Sequence, residues 1–449
     1  MSAQSIIARN LASAFLAGVW SLEGLVRRGR EACGKRPSWL RPLARRVLAR
    51  FAEPEPRPNV DSLSTFLLGD PGFCRAWTRK AISLHRVYWV APSMIPTAGA
   101  PASWTLPALT TTTALAEWLR LTPSELDWFA DVQRRERLAS PGPLRHYTYR
   151  WRTTRRKVRL LEVPKSRLKG LQHRLLRGLL DVMPPHEAAH AYRRGRSIGT
   201  LVAPHAGRGI VVHLDLQDFF PSIRSARVHA LFHTAGYPTS VARLLTGLCT
   251  NSIPLDILEK RPSGGRPDSV VNMRRRLAFP HLPQGAPTSP ALANLCAYRF
   301  DCRLAGLARA LDASYTRYAD DLIFSGGETL ERSVRRFHVH VCRIALEEGF
   351  EVNTRKSHFM RQGVRQQVAG VVLNVRPNVR RVEYDRLKAI LTNCARHGPH
   401  SQNREGHANF RAHLAGRIGY VAMLHAERGR RLRQMFDEIR WTDDGASQS

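Results

Sequence analysis

Two adjacent aspartates, Asp320 and Asp321, interrupt an otherwise β-forming run, Tyr315-Thr316-Arg317-Tyr318-Ala319-Asp320-Asp321-Leu322-Ile323-Phe324. Neighbouring carboxylates repel, so the run is expected to fold back on itself with the pair at a hairpin tip. As an isolated dipeptide, Asp-Asp is most often a solvated turn. A fold tolerates the repulsion best where a cation lies between the pair and a third carboxylate, and hard divalent ions such as Mg²⁺ take carboxylate oxygens together with substrate phosphates. Nucleotidyl transfer uses two such ions, on the attacking 3′ oxygen and on the leaving pyrophosphate.

A third carboxylate is at hand. Ile210-Val211-Val212-His213-Leu214 reads as a buried strand that delivers Asp215 at its end, followed by Leu216-Gln217-Asp218-Phe219-Phe220-Pro221-Ser222. Read alone, this segment equally fits an N-capping Asp218 with Phe219 and Phe220 packed in a core. Leu282-Pro283-Gln284-Gly285-Ala286-Pro287-Thr288-Ser289-Pro290 sets a Gly beside Gln284, where the backbone can approach a ligand, ahead of a helix start with unpaired N–H groups. Val352-Asn353-Thr354-Arg355-Lys356-Ser357 places a lysine after the hairpin, where it could meet pyrophosphate.

Charge narrows the partner. Seventy Lys and Arg against 36 Asp and Glu leave a net charge of +34, which favours a polyanion, nucleic acid above all. A basic membrane-surface protein and an arginine-rich composition are the competing explanations. The seven cysteines show no C-x-x-C pair and read as reduced, mostly buried thiols of a cytoplasmic protein. Leu11 to Trp20 is apolar, but Ile7, Leu11, Phe15, Val19, Leu22 and Val26 recur as one face of an amphipathic helix, and no stretch is long enough to span a bilayer.

Composition also marks boundaries. Prolines punctuate Ala52 to Pro58 and Pro92 to Pro107, after which Thr110 to Leu121 and Thr122 to Arg137 read as two helices, the second opened by a capping box at Thr122-Pro123-Ser124-Glu125. From about Arg145 short apolar runs alternate with helical stretches, an α+β pattern. Asn251 to Arg276 reads as an exposed insertion, and from Pro377 the chain is helical and basic.

Taken in order, these segments resemble the palm of reverse transcriptases. Asp215 ends the first catalytic motif, Gln284 to Pro290 matches the substrate-helix motif, Tyr318 to Asp321 the YADD box, Asn353 to Lys356 the lysine motif, and Val368 to Asn374 the primer grip. Arg159 to Gln172 and His190 to Ile198 are similar to the fingers of bacterial enzymes. The nearest likeness is to bacterial retron enzymes. Of their Asn-Ala-x-x-His element Leu201 to His205 keeps the His, and of Val-Thr-Gly the chain keeps Val368 and Gly370 around Ala369. A non-retron defence-type or group II intron-like enzyme is the alternative.

The resemblance implies a right-hand polymerase. Its parts would be a mainly helical basic extension (1–140), fingers and palm with an antiparallel sheet plus helices (141–375), a helical thumb (376–440) and a disordered tail (441–449). It implies two Mg²⁺ ions, with Mn²⁺ as a substitute, on Asp215, Asp320, Asp321 and the Leu216 carbonyl. Deoxynucleotide would be bound by Arg159, Asp218, Phe219, Phe220 and Gln284. Phe220 would exclude a 2′-OH, and Lys356 would protonate pyrophosphate. The implied partners are a cognate structured non-coding RNA, its DNA product (RNA-linked msDNA) and a separate effector or toxin protein, within an anti-phage defence system and with no membrane.

Overall fold

A computed structural model of the chain describes residues 2–34, 37–51, 58–88, 94, 104–153, 158–259 and 267–441. The Ala52 to Arg57 boundary, most of Pro92 to Pro107 and the 442–449 tail lie outside the described residues. The chain divides into two compact units, Met1–Met183 with Ile223–Ser289, and Pro184–Ser222 with Pro290–Ser449. No described helix is long and apolar enough to cross a membrane, and all seven cysteines are free thiols.

The first unit opens with five helices, α1 (Ala3–Leu16), α2 (Leu22–Cys33), α3 (Leu40–Arg50), α4 (Val60–Gly69) and α5 (Pro71–Thr78). They enclose a core of their own around Leu11, Phe15, Leu25, Leu40, Leu63 and Phe73. The single amphipathic helix expected from Ile7 to Val26 breaks in two. The Ser21 hydroxyl caps α2 by accepting from the Gly24 N–H. The buried Arg28 guanidinium donates to the Ala14, Phe15 and Val19 carbonyls and so satisfies the end of α1.

Farther on, Thr112–Leu119 and Pro123–Ala130 form the expected helix pair, with the Thr122/Glu125 capping box in place. Strands β1 (Tyr147–Thr153) and β2 (Val158–Pro164) pair antiparallel. Asn251 to Arg276 is not the exposed insertion its irregular pattern suggested. Helices Leu255–Glu259 and Pro267–Leu277 form there, and Ile253, Met273 and Leu277 pack on Val158 and Leu160 of β2. The apolar positions were hard to read because they are divided between two short helices.

The second unit is built on a four-stranded antiparallel sheet. Its strands are β3 (Ile210–Asp215), β4 (Ser314–Tyr318), β5 (Asp321–Gly326) and β6 (His358–Arg361), in the order β4-β5-β3-β6. β3 is buried at every position except His213, as its Val/Ile/Leu-rich sequence requires. The helix Glu328–Glu347 turns Leu330, Phe337, Val341 and Ala345 inward, and the Phe337 ring meets Phe324 of β5 at 4.9 Å. A short hairpin of β7 (Gln367–Val368) and β8 (Val371–Val372) follows. Both its turn residues, Ala369 and Gly370, have positive φ, as a two-residue turn of this kind demands. Helices Arg381–His397, Phe410–Leu424 and Ala426–Asp437 then share a core around Leu391, Leu414, Ile418 and Leu432.

His205 ties the sheet to the segment preceding β3. It is fully buried, with Nδ1 2.7 Å from Ser325 Oγ on β5 and Nε2 2.8 Å from Thr316 Oγ1 on β4. Thr316 Oγ1 donates to the Leu201 carbonyl, so the bonding network makes His205 Nε2 the donor and leaves Nδ1 to accept. Burial holds the imidazole neutral and pulls its pKa down to about 3. The unfolded chain therefore takes up a proton that the folded site refuses as pH falls from about 6.5, the ordinary histidine value, toward that depressed value. Urea midpoints should fall with pH across this window, and His205→Gln should flatten the dependence by up to about 1.4 kcal/mol per pH unit. Identical slopes for the two proteins would contradict the assignment.

Candidate active site

β3 ends on Asp215, β5 begins on Asp321, and the antiparallel register sets the two directly opposite each other. The Leu216 N–H donates to the Asp320 carbonyl at 2.8 Å, which carries the pairing up to the hairpin tip. On the other side of β3 the Asn353 N–H donates to the Asp215 carbonyl (2.7 Å) and the Gln217 N–H to the Glu351 carbonyl (2.8 Å). The Leu216 side chain is wholly buried, and its backbone bridges to Val352.

The tip itself is strained. Ala319 and Asp320 separate β4 from β5, and Ala319 has φ +55°, left-handed backbone that costs a non-glycine residue on the order of 1 kcal/mol. The Arg317 guanidinium holds it from beneath, donating to the Ala319 carbonyl at 3.1 Å. The same guanidinium makes a two-pronged pair with Asp301 (2.8 and 2.7 Å) and reaches Asn294 Oδ1 at 3.0 Å. Burial works against the Arg317 charge, but the Asp301 carboxylate outweighs it and raises the pKa.

Like charges directly opposite destabilise a sheet, and here each carboxylate carries a basic neighbour. Lys356 Nζ lies 2.9 Å from Asp215 Oδ1, and His213 Nε2 lies 2.8 Å from Asp321 Oδ1. Asn353 Nδ2 is 3.4 Å from Asp215 Oδ2. Among the described residues, no three acidic, histidine or cysteine side chains are gathered as a metal-ligand cluster. The donor chemistry nevertheless fits a hard divalent ion. Two carboxylates face each other, a third sits on the adjoining tip residue, and the Lys356 ammonium already lies against Asp215.

The aromatic pair after Asp215 divides its roles. Phe219 is a core residue, 4% exposed, with its ring 5.5 Å from Phe350 and 5.6 Å from the Arg317 guanidinium. Phe220 stays half-buried, and its ring lies 6.4 Å from that of Tyr192. Asp218 has φ +44°, and its carbonyl accepts from the Ser222 N–H to start the turn Phe219–Ser222. Tyr192, 55% exposed with φ +57°, also lies 6.4 Å from Tyr318. Tyr192 and His213 were missed in the sequence, where the only signals were an aromatic before the Arg-rich turn and a polar residue inside a buried strand.

Arg159 and Gln284 belong to the first unit. Arg159 is exposed on β2 directly opposite Arg152, and two such guanidiniums call for an anion. The Gln284 carbonyl accepts from the Glu162 N–H at 2.9 Å. Gly285 has φ +135°, and an added Cβ would lie 2.9 Å from the Glu162 carbonyl. The close approach expected of this glycine toward a ligand is thus made to β2. Glu162 and His281 are both fully buried, Nε2 to Oε1 3.0 Å, while His281 Nδ1 faces the Phe279 carbonyl at 2.7 Å. Both ring nitrogens face acceptors, so the imidazole is protonated. Burial lowers its pKa, but the Glu162 charge and hydrogen bonds prevail and raise it.

Residues 151–384 match the family described as Reverse transcriptase (RNA-dependent DNA polymerase). The chain is 44% identical over 282 residues to the Retron Mx65 reverse transcriptase of Myxococcus xanthus, covering 61% of this chain and 60% of that protein. It is 34% identical over 352 residues to the Retron Mx162 reverse transcriptase of the same organism, covering 75% and 68%. To the Retron Ec86 reverse transcriptase of Escherichia coli it is 27% identical over 291 residues, covering 64% and 78%.

The buried pair beneath the hairpin generates a stability test. Asp301→Ala strands the Arg317 charge and should cost about 3–5 kcal/mol in urea unfolding, whereas Asp301→Leu combined with Arg317→Met should recover most of that loss. A single variant within 1 kcal/mol of wild type, on the order of an exposed ion pair, would show that the pair is not buried as described.

Proposed function

This chain belongs to the reverse transcriptase family, among its bacterial retron members, and from that premise we propose that it copies part of a cognate structured non-coding RNA into single-stranded DNA that stays joined to the RNA. The observation that carries this reading is the register of β3 against β5, which faces Asp215 with Asp321 beside the tip residue Asp320. Asp215, Asp320, Asp321 and the Leu216 carbonyl are the proposed holders of two Mg²⁺ ions, for which Mn²⁺ would substitute. Bound there, the ions supply charge stabilisation for the attacking 3′ oxygen and the leaving pyrophosphate.

The side chains around the carboxylates have separable tasks. Phe220, half-buried and flanked by Tyr192, presents a ring edge that excludes a 2′-OH and so favours deoxynucleotides. Asp218 shapes the turn that presents Phe220. Phe219 anchors that turn from the core. Lys356, an exposed ammonium at the edge of the site, is the proposed proton donor to pyrophosphate. Arg159, with Arg152 beside it, fits the triphosphate, and Gln284 the nucleotide.

The proposed division follows the same lines: a basic extension over 1–140, fingers and palm over 141–375, and a thumb over 376–440. The helices from Arg381 to Asp437 support the thumb reading by sharing one core while exposing Arg386 and Lys388 outward. An anti-phage role with a separate effector protein is part of this proposal and rests on the retron kinship.

Sequencing nucleic acid co-purified with the expressed protein tests the reading. One short DNA joined to one RNA is expected, and unbranched DNA alone would overturn the retron assignment. Asp320→Asn with Asp321→Asn should abolish deoxynucleotide incorporation in a primer-extension assay while leaving RNA binding intact. Phe220→Ala should raise ribonucleotide use relative to deoxynucleotide by roughly 10- to 200-fold. Extension by the double aspartate variant would refute the catalytic assignment.

A further inference from the structure

The five N-terminal helices lie ahead of the family match at residues 151–384 and carry a charge distribution of their own. Every described carboxylate up to Tyr88 is engaged by an arginine: Glu23 by Arg41, Glu31 by Arg86, Asp61 by Arg9 and Asp70 by Arg46. Arg28 is buried on carbonyl groups. Arg27, Arg30, Arg45, Arg50, Arg75 and Arg79 are all exposed, and among the described residues none of them has a carboxylate partner.

Five of these arginines sit on three helices that pack in series, α2 on α3 and α3 on α5, and Arg79 is the residue just past α5. Arg27 and Arg30 lie on the α2 face opposite its buried Leu25, Ala32 and Cys33. Arg45 lies opposite Leu43, Ala44 and Val47 of α3, Arg50 ends α3 with its guanidinium 5.6 Å from the Phe51 ring, and Arg75 of α5 and Arg79 just past it are exposed. The Arg41–Glu23 and Arg46–Asp70 pairs clip α3 to α2 and to the cap of α5. Guanidiniums with no carboxylate partner among the described residues thus recur on adjoining helices held by one core. Their planar forks suit phosphate oxygens better than a compact ammonium does.

We infer that the outer face of α2, α3 and α5 is a docking surface for the phosphate backbone of a structured RNA, separate from the carboxylate site. This rests on the proposed reading of the chain as an enzyme that keeps its template RNA. An anionic membrane suits the face less well. The exposed large apolar side chains of the first 88 residues are Ile6, Val19, Leu84 and Val87, none of them on α2, α3 or α5, whereas a membrane-surface helix inserts such residues. The DNA product shares the phosphate chemistry but arises only after synthesis begins. The folded RNA is the polyanion present beforehand.

The test uses the full chain and a fluorescent RNA hairpin with a stem of about 20 base pairs, longer than the roughly 16 that a double-stranded RNA domain spans. Binding is measured across a salt series for wild type, for R27Q/R30Q/R45Q/R75Q and for the corresponding fourfold Lys variant. Loss of four phosphate contacts should weaken binding about tenfold or more and lower the slope of log K against log salt by about three to four. The Lys variant should keep most of the slope, and all three proteins should share one thermal midpoint.

Extension of oligo(dT) on poly(rA) should be unchanged in both variants, and its absence in wild type would defeat the parent reading without touching the binding measurement. An unchanged affinity and slope in the Gln variant would overturn the inference. So would an equal loss of affinity for a DNA hairpin of the same sequence, or loss of binding to phosphatidylserine vesicles with RNA binding intact.

Discussion

The hairpin that carries Asp320 and Asp321 rests on a charge that never meets water. Arg317 is the largest fully buried side chain among the described residues, and taking a guanidinium out of water costs several kcal/mol unless its donors find acceptors. Asp301 takes two of them, Asn294 a third contact and the Ala319 carbonyl a fourth. Asp301 also accepts from the Tyr315 hydroxyl, and the Arg317 backbone pairs with Ala188 and His190. One residue therefore joins the hairpin, the helix Tyr298–Arg309 and the segment leading to Tyr192. With Ala319 at positive φ, the tip has little intrinsic preference for its shape, and this network supplies it.

Opposed carboxylates are the second constraint. Asp215 and Asp321 face each other by strand register, an arrangement that favours cations nearby. Lys356 meets that demand from the turn Thr354–Lys356, and His213 of β3 sets Nε2 against Asp321. The site is thus poised for positive charge.

The first unit applies similar physics. A protonated His281 against Glu162, both without solvent contact, ties the Gln284 loop to β2, and Asn251 completes the carboxylate's partners at 2.8 Å. Arg152 and Arg159, by contrast, are left facing each other in the open. The arginines of α2, α3 and α5 form another such group. Asp301, Glu162 and Asp70 are held inside the folds or in local pairs, while these arginine groups stay exposed.

Much of the architecture was legible in local pattern. The Val/Ile/Leu run before Asp215, the β-forming flanks of Asp320 and Asp321, and the Thr122 capping box each specify their structure through period and sterics that neighbours cannot override. The order of the motifs was enough to indicate the family. Other features depend on residues far apart in the chain. His205 reads as an isolated histidine until Thr316 and Ser325 close on it, and Arg317 reads as one cation among 70 until Asp301 and Asn294 bury it. The break in the first amphipathic stretch needed Arg28, and the burial of Ile253 and Met273 needed β2. Sequence indicated most of the strands and helices and the candidate carboxylates, because both follow from residue type and short spacing. Tertiary structure decided which charges are buried, which are paired and which are left for a polyanion, because desolvation depends on what the rest of the chain packs around each group.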